Sequence, residues 1–389
     1  MLFLFHPNKP MRRYSVTLFL SAILFLIAAG CNRTRTQEQK ATSSISSDSL
    51  RPRYAEGFRL DAGEGCYLLS IEDPQQESHK EYRFALVPKG THPAIPEGYT
   101  AVTIPVERVV CMTTLQLSNF IALEAQPLVA GISSTRYLRD SVMKAQLQDG
   151  RTQKIGIEGN FDREVVMSLQ PDLILISPFK RGGYDVLEQV SVPLIPHLGY
   201  KELTPLGQAE WVKLIGLLTG QYDKACRFFS EIETCYHALT GYADEVTDRP
   251  IVFSGEMRGG NWYAVGGKSY LAQQIRDAGG EYFLKDDQRS GGVSLDFETV
   301  YSRSDSARYW RILNSYPGKF GYEALKAEDS RYADFRAFKE KGVIYCNLRE
   351  TAFYELMPMH PDWVLADLIA ILHPGLLPDH QPHFYYLLR

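Results

Sequence analysis

Seven residues carry side chains suited to gripping a ligand rather than transforming one: Arg136, Tyr137, Arg181, Tyr200, Arg258, Trp262 and Arg349. A guanidinium pairs with a carboxylate bidentately, and a Tyr or Trp ring stacks on a flat molecule while its polar tip stays available. Each lies in a segment after an apolar, strand-like run, where an α/β sheet opens its binding edge. The segments are Ser133–Tyr137, Phe179–Tyr184 and Gly199–Lys201 in the first half, and Gly255–Tyr263 and Asn347–Tyr354 in the second. The 23 Tyr of the chain suit recognition of this kind. No catalytic constellation competes with it. GxSxG, HExxH and GxGxxG are absent, and the nine His are scattered. Gly266-Gly267-Lys268-Ser269 looks like the end of a phosphate-binding loop, but that motif needs Gly where the chain has Trp262. Asp362 and Asp367, near His360 and His373, fall on or beside the last helical stretch and read as structural. No catalytic residue, resident metal or cofactor is expected.

The elements that must position these residues alternate. Cys66–Ile71, Tyr82–Val87 and Tyr99–Ile104 read as short strands between Gly, Pro and Asp clusters. From Val109 onward apolar strands (Val109–Met112, Leu128–Gly131, Leu173–Ile176, 192–196) alternate with helical stretches (Thr114–Glu124, Glu164–Leu169). A helical region follows, with Trp211, Leu214, Ile215 and Leu218 at helical period. From Lys224 the set Ala225, Phe228, Phe229, Ile232, Cys235, Tyr236 and Leu239 recurs at three- to four-residue steps, with no Pro or Gly before Gly241. The alternation then restarts with Ile251–Phe253, Tyr270–Ala278, Glu298–Ser302, Gly342–Cys346 and Trp363–Leu372. The reading is an α/β protein: two α/β lobes with mainly parallel sheets, joined by one long helix, with the ligand cleft between them. Its parts are an N-terminal lobe over residues 53–204, with a strand-rich extension at 53–104, a helical region over 205–248, and a C-terminal lobe over 249–389.

Export is expected from the start of the chain. Arg12 and Arg13 precede an apolar run from Val16 to Ala29, closed by Ala29-Gly30 and Cys31. That run is shorter than the roughly 20 residues that span a bilayer. Residues 1–30 therefore read as a signal peptide, with Met11 the better start. A Cys after small residues resembles a bacterial lipobox, so Cys31 is expected to carry lipid; Ala28 stands where that motif usually has Leu. Residues 31–52, rich in Ser, Thr, Gln and basic residues, read as a flexible tether. A net charge of -4 gives no electrostatic reason to expect nucleic acid. Beyond Cys31, Cys66, Cys111, Cys226, Cys235 and Cys346 read as buried free thiols. Cys226 and Cys235 on one helix would sit about 13 Å apart along its axis, too far to bond.

Over roughly residues 105–388 the chain resembles the helix-bridged periplasmic binding proteins of ABC importers for iron complexes and cobalamin. Lys154-Ile-Gly-Ile-Glu-Gly-Asn-Phe-Asp-Arg-Glu164, running into Val-Val-Met-Ser-Leu-Gln-Pro-Asp-Leu-Ile-Leu-Ile176, is similar to one block of that family. Asp277-Ala-Gly-Gly280 followed by Val293-Ser-Leu-Asp-Phe-Glu-Thr-Val300 is similar to the matching block of the second half. One departure is Ser304-Asp305-Ser306, where the family often has Pro-Asp before a strand.

The resemblance implies a monomeric, lipid-anchored periplasmic receptor, not an enzyme, that captures a siderophore, haem or cobalamin and delivers it to the ABC permease dimer of the inner membrane. It also implies that Glu164 and Glu298, one per lobe, each pair with a permease Arg. Helix-dipole complementarity alone would favour an acid there by about 0.3–1 kcal/mol. Two alternatives stand beside this reading: a surface or periplasmic enzyme handling a tetrapyrrole or metal chelate, and a stand-alone scavenging lipoprotein. The stiff helix limits lobe motion, which suits a large rigid ligand because a preformed cleft avoids an ordering cost.

Overall fold

Alternating apolar residues build the first sheet. Phe58 and Leu60, Leu69 and Ile71, Phe84 and Leu86, and Val102 and Ile104 all turn to one core. The strands are β1 (Phe58–Ala62), β2 (Tyr67–Ile71), β3 (Tyr82–Pro88) and β4 (Thr100–Ile104), antiparallel until β4 joins β3 in parallel. The computed structural model describes residues 50–75, 80–133, 135–157, 160–178, 187 and 190–389. The signal peptide, Cys31, nearly all of the tether, and Arg181 with its segment lie outside the described residues.

The first lobe is a parallel sheet in the order β11-β10-β5-β6-β7. Its strands are β5 (Val109–Cys111), β6 (Val129–Ile132), β7 (Gln153–Lys154), β10 (Leu173–Ile176) and β11 (Leu194–Pro196); β8 (Gly156–Ile157) and β9 (Asn160–Phe161) pair separately. Leu173, Ile174 and Leu175 are fully buried, as a central parallel strand covered on both faces requires. The second lobe holds β12 (Ile251–Ser254), β13 (Glu256–Arg258), β14 (Asn261–Val265), β15 (Glu281–Tyr282), β16 (Gly292–Leu295), β17 (Tyr309–Asn314), β18 (Val343–Asn347) and β19 (Tyr386–Leu387). Its main sheet runs β15-β12-β17-β18-β19, parallel except for β19, and β13-β14-β16 form a small antiparallel sheet.

The lobes are joined by the helix Tyr222–Asp244, 23 residues long and so about 35 Å. It begins before Lys224 and passes through Gly241, which is exposed and costs such a helix only about 1 kcal/mol. Near its start, Lys224 Nζ donates to Leu123 O of the first lobe at 2.7 Å. Further on, Tyr236 Oη donates to Asp277 of the second lobe at 2.6 Å. It packs on the helix Pro205–Leu218, in which all residues are buried. A second tie crosses directly: Glu355 Oε1 accepts the backbone N–H groups of Arg139 and Asp140 at 2.8 and 3.1 Å.

The five cysteines among the described residues are free; Cys66, Cys111 and Cys346 are buried, whereas Cys226 is half-buried and Cys235 exposed. The expectation of buried thiols therefore fails at Cys235, which lies on the outer side of the bridging helix. Among the described residues, no helix is long and apolar enough to cross a membrane.

Candidate functional site

The strand β17 sets the floor of the site. Its alternation sends Trp310 and Ile312 into the core of the second lobe, and Arg311 and Leu313 towards the gap between lobes. Trp310 is held rigidly, stacked on Phe253 at 5.3 Å and donating Nε1–H to Gly255 O at 2.8 Å. Gly255 is required there: at φ +104 a Cβ would lie 2.0 Å from Tyr263 O.

The gap is a cavity of about 670 Å³, within the range of small-molecule sites. Tyr200, Lys201 and Glu202 come to it from the first lobe; Tyr270, Gln274, Arg311, Tyr354 and Tyr385 come from the second. Arg311 Nε donates to Tyr385 Oη at 3.0 Å, and its Nη2 donates to the same oxygen. Burial pushes Tyr270, Tyr354 and Tyr385 above the ordinary phenol range, so all three are neutral at pH 7. Burial works against the charge of Arg311, but Tyr385, Tyr270 and Cys346 around it together raise its pKa, so the guanidinium stays charged. Among the described residues, no carboxylate pairs with it. Arg311 is half-buried, and a cation partly withdrawn from water without an anion beside it is a place for a ligand's anion. Gln274 adds a second unmet demand: it is 2 % exposed, and its Nε2 has no hydrogen-bond partner.

A second cavity of about 640 Å³ adjoins the first through Leu313 and Tyr354. It gathers Arg136, Tyr137 and Arg258 from the residues expected at the cleft. Arg136 lies over the Tyr137 ring at 5.1 Å, and Tyr137 faces Tyr354 at 5.8 Å. Arg258 is ion-paired with Glu256 at 2.6 Å, and Glu328 lines the chamber along with Arg136, so this chamber is polar with equal numbers of acids and bases.

The structure thus brings Tyr200 to the main cavity and Arg136, Tyr137 and Arg258 to its neighbour. Two expectations are corrected. Trp262 is fully buried, donating to Ser254 O at 2.9 Å within the aromatic core. The segment Gly255–Tyr263 is not an open loop but the hairpin β13–β14, which turns that indole inward. Arg349 is exposed, donates to Ser315 O at 2.8 Å, and lines neither cavity. Tyr354 closes the expected segment Asn347–Tyr354, whereas Arg311, Gln274, Tyr270 and Tyr385 lie outside every segment expected at the cleft. The apolar residues around Arg311 in Tyr-Trp-Arg-Ile-Leu-Asn were the available signal.

Glu164 and Glu298 occupy matching places. Each is the second residue of a helix capped by an Asp, Asp162 or Asp296, whose side chain accepts the third backbone N–H. Both are exposed, and Glu298 makes a loose contact of 3.9 Å with Arg331.

Residues 109–349 match the model of the family described as periplasmic binding protein. The chain belongs to that family. An uncharacterized lipoprotein of Methanocaldococcus jannaschii is 24% identical over 96% of this chain and 99% of its own. A periplasmic binding protein from Veillonella parvula superposes with a TM-score of 0.59 at 16% identity, over 80% of this chain and 99% of that one. The periplasmic haem-binding protein RhuT from Roseiflexus superposes with a TM-score of 0.53 at 21% identity, covering 69% and 99%. The family and these structural relatives are solute-binding proteins, not enzymes. In a periplasmic binding protein the cavity between lobes is the place for the solute, and the loop Ser304-Asp305-Ser306 replaces Pro-Asp without loss of the following strand, which begins at Tyr309.

Proposed function

We propose that this binding protein captures an anionic metal chelate, of the ferric siderophore or haem kind, in the 670 Å³ cavity and hands it to an ABC permease. The observation that carries the reading is Arg311: a charged guanidinium set among neutral phenols, with no anion among the described residues to balance it. A carboxylate or catecholate of the ligand would supply that anion, and the surrounding rings would stack on its flat parts. Among the described residues, no group of three His, Cys, Asp or Glu is arranged to hold a bare metal ion, which favours a metal arriving inside its chelator. Cobalamin, a bulkier molecule, fits this volume less well.

The delivery step is supported by a repeat between lobes. Three residues beyond Glu164 is Met167, 51% exposed; three beyond Glu298 is Tyr301, 38% exposed. Positions i and i+3 share a helix face, so each lobe presents an acid beside an uncovered apolar side chain. Such a pair fits a permease surface offering Arg amid apolar residues. Solved structures of similar fold include an ABC-type Fe3+-hydroxamate transport system and an ABC transporter substrate-binding protein, and the archaeal relative is called a lipoprotein. With the lipobox-like Cys31, these favour an exported protein tethered by lipid. Native mass spectrometry and an absorption spectrum of protein purified from its own host test the reading. A co-purifying anionic chelate is expected; a neutral or metal-free solute in the cavity would overturn it.

A further inference from the structure

The sheet of β1 to β4 lies before the segment that matches the family, yet the turn that follows β2 reaches the cavity. Gln75, just beyond β2, lines the cavity together with Lys201 of the first lobe and Gly291 of the second. Its Nε2 donates to Lys201 O at 3.0 Å. A carbonyl only accepts, so the amide nitrogen must face it and Oε1 must point away. Oε1 lies 4.0 Å from where a Cβ on Gly291 would sit, so the side chain extends from one lobe across to the other.

This placement is built. Asp73, 9% exposed, accepts the N–H of Gln75 through Oδ1 at 3.0 Å and the ammonium of Lys201 through Oδ2 at 2.6 Å. The chain leading into the sheet is anchored as firmly. Glu202 accepts the N–H groups of Glu56 and Gly57 at 3.0 and 2.9 Å, and Glu210 accepts those of Arg53, Tyr54 and Ala55.

We propose that the N-terminal extension forms a third wall of the ligand cavity, and that Gln75 closes its end and accepts a hydrogen bond from the ligand through Oε1. The ligand class this implies is a chelate with two unlike ends: an anionic end on Arg311 and Gln274 Nε2, and a donor such as an amide N–H or hydroxyl at Gln75. Asp73 neutralises Lys201 at that end, so the anion is directed to Arg311. This rests on the ligand-binding reading above, and the test separates the two.

Haemin, ferric enterobactin and ferric ferrichrome are titrated against wild type, Gln75→Ala and Gln75→Leu. For whichever chelate wild type binds, losing one neutral hydrogen bond to it should weaken affinity about three- to tenfold, with the melting temperature lowered by no more than the lost Gln75–Lys201 hydrogen bond accounts for. An unchanged dissociation constant would overturn the wall's contact with ligand. Binding of none of the three would count against the chelate reading alone. The wall is then judged in the ligand-free protein carrying Cys235→Ser, Gln75→Cys and Gly291→Cys. A short bis-maleimide should link the two thiols within one chain; single labelling of each without a link would overturn it.

Discussion

Removing Glu210 should release the N-terminal extension while leaving both lobes folded. Glu210 is fully buried in the helix Pro205–Leu218 and accepts backbone N–H groups from Arg53, Tyr54 and Ala55 at 2.7–3.0 Å, along with Lys213 Nζ at 2.5 Å. Hydrogen bonds to a charged group are worth about 1.5–3 kcal/mol each, and water can recover part of this at Arg53 and Tyr54, which are not fully buried. Losing one partner of a buried ion pair costs about 3–5 kcal/mol. The two routes agree on about 3–5 kcal/mol for Glu210→Ala, with less for Glu210→Gln, which keeps one acceptor oxygen. Denaturant unfolding followed by circular dichroism measures the loss, and limited proteolysis with mass mapping locates it. New cleavage should concentrate between residues 50 and 104. A loss below about 1 kcal/mol, or cleavage spread evenly over both lobes, would refute the reasoning.

Three further outcomes are expected. Burial pushes His197 down to about 3, so the unfolded chain binds a proton near pH 6.5 that the folded chain refuses; stability should fall on acidification between those values by up to about 1.4 kcal/mol per pH unit. Glu202 and Glu355 are shifted up by burial and act in the opposite sense, so the check is a shallower acid slope in His197→Gln than in wild type, measured by urea unfolding at each pH. Glu164→Ala with Glu298→Ala should cut transport sharply, by about 2–5 kcal/mol of docking if both contacts are partly desolvated, while the ligand dissociation constant holds; Met167→Asp with Tyr301→Asp should do the same, and normal transport by either pair would contradict the docking role. X-ray scattering should show little change in lobe separation on ligand binding, because the bridging helix and the Glu355 tie to Arg139 and Asp140 hold the lobes; a large closure would contradict this.

The architecture was legible because its signals are long and periodic. Leu173–Ile176 reads as a buried parallel strand, and the bridging helix shows in its apolar spacing from Ala225 to Leu239. The site was legible only in part, since residue type alone does not say which way a side chain turns. Trp262 has the chemistry of a ligand contact, but the pairing of β13 with β14 faces it inward. Arg311 was hidden for the opposite reason. It interrupts an apolar run, and only the register of β17 between β12 and β18 turns it to the cavity. Gln75 could not be placed at all, because its position depends on Asp73, Lys201 and Gly291, far apart along the chain.

The central claim is that Arg311 waits for the anion of a ligand, and Arg311→Gln tests it through two readings of one variant. Affinity for the chelate that co-purifies from the host, measured by titration against the stripped protein, should fall by about 2–5 kcal/mol, as for a desolvated charge pair that loses a partner. The ligand-free variant should stay close to wild type in stability, since losing the hydrogen bonds to Tyr385 is offset by removing a half-buried charge that has no anion beside it. Undiminished affinity, or a ligand-free protein that is clearly destabilised while binding persists, would contradict the account.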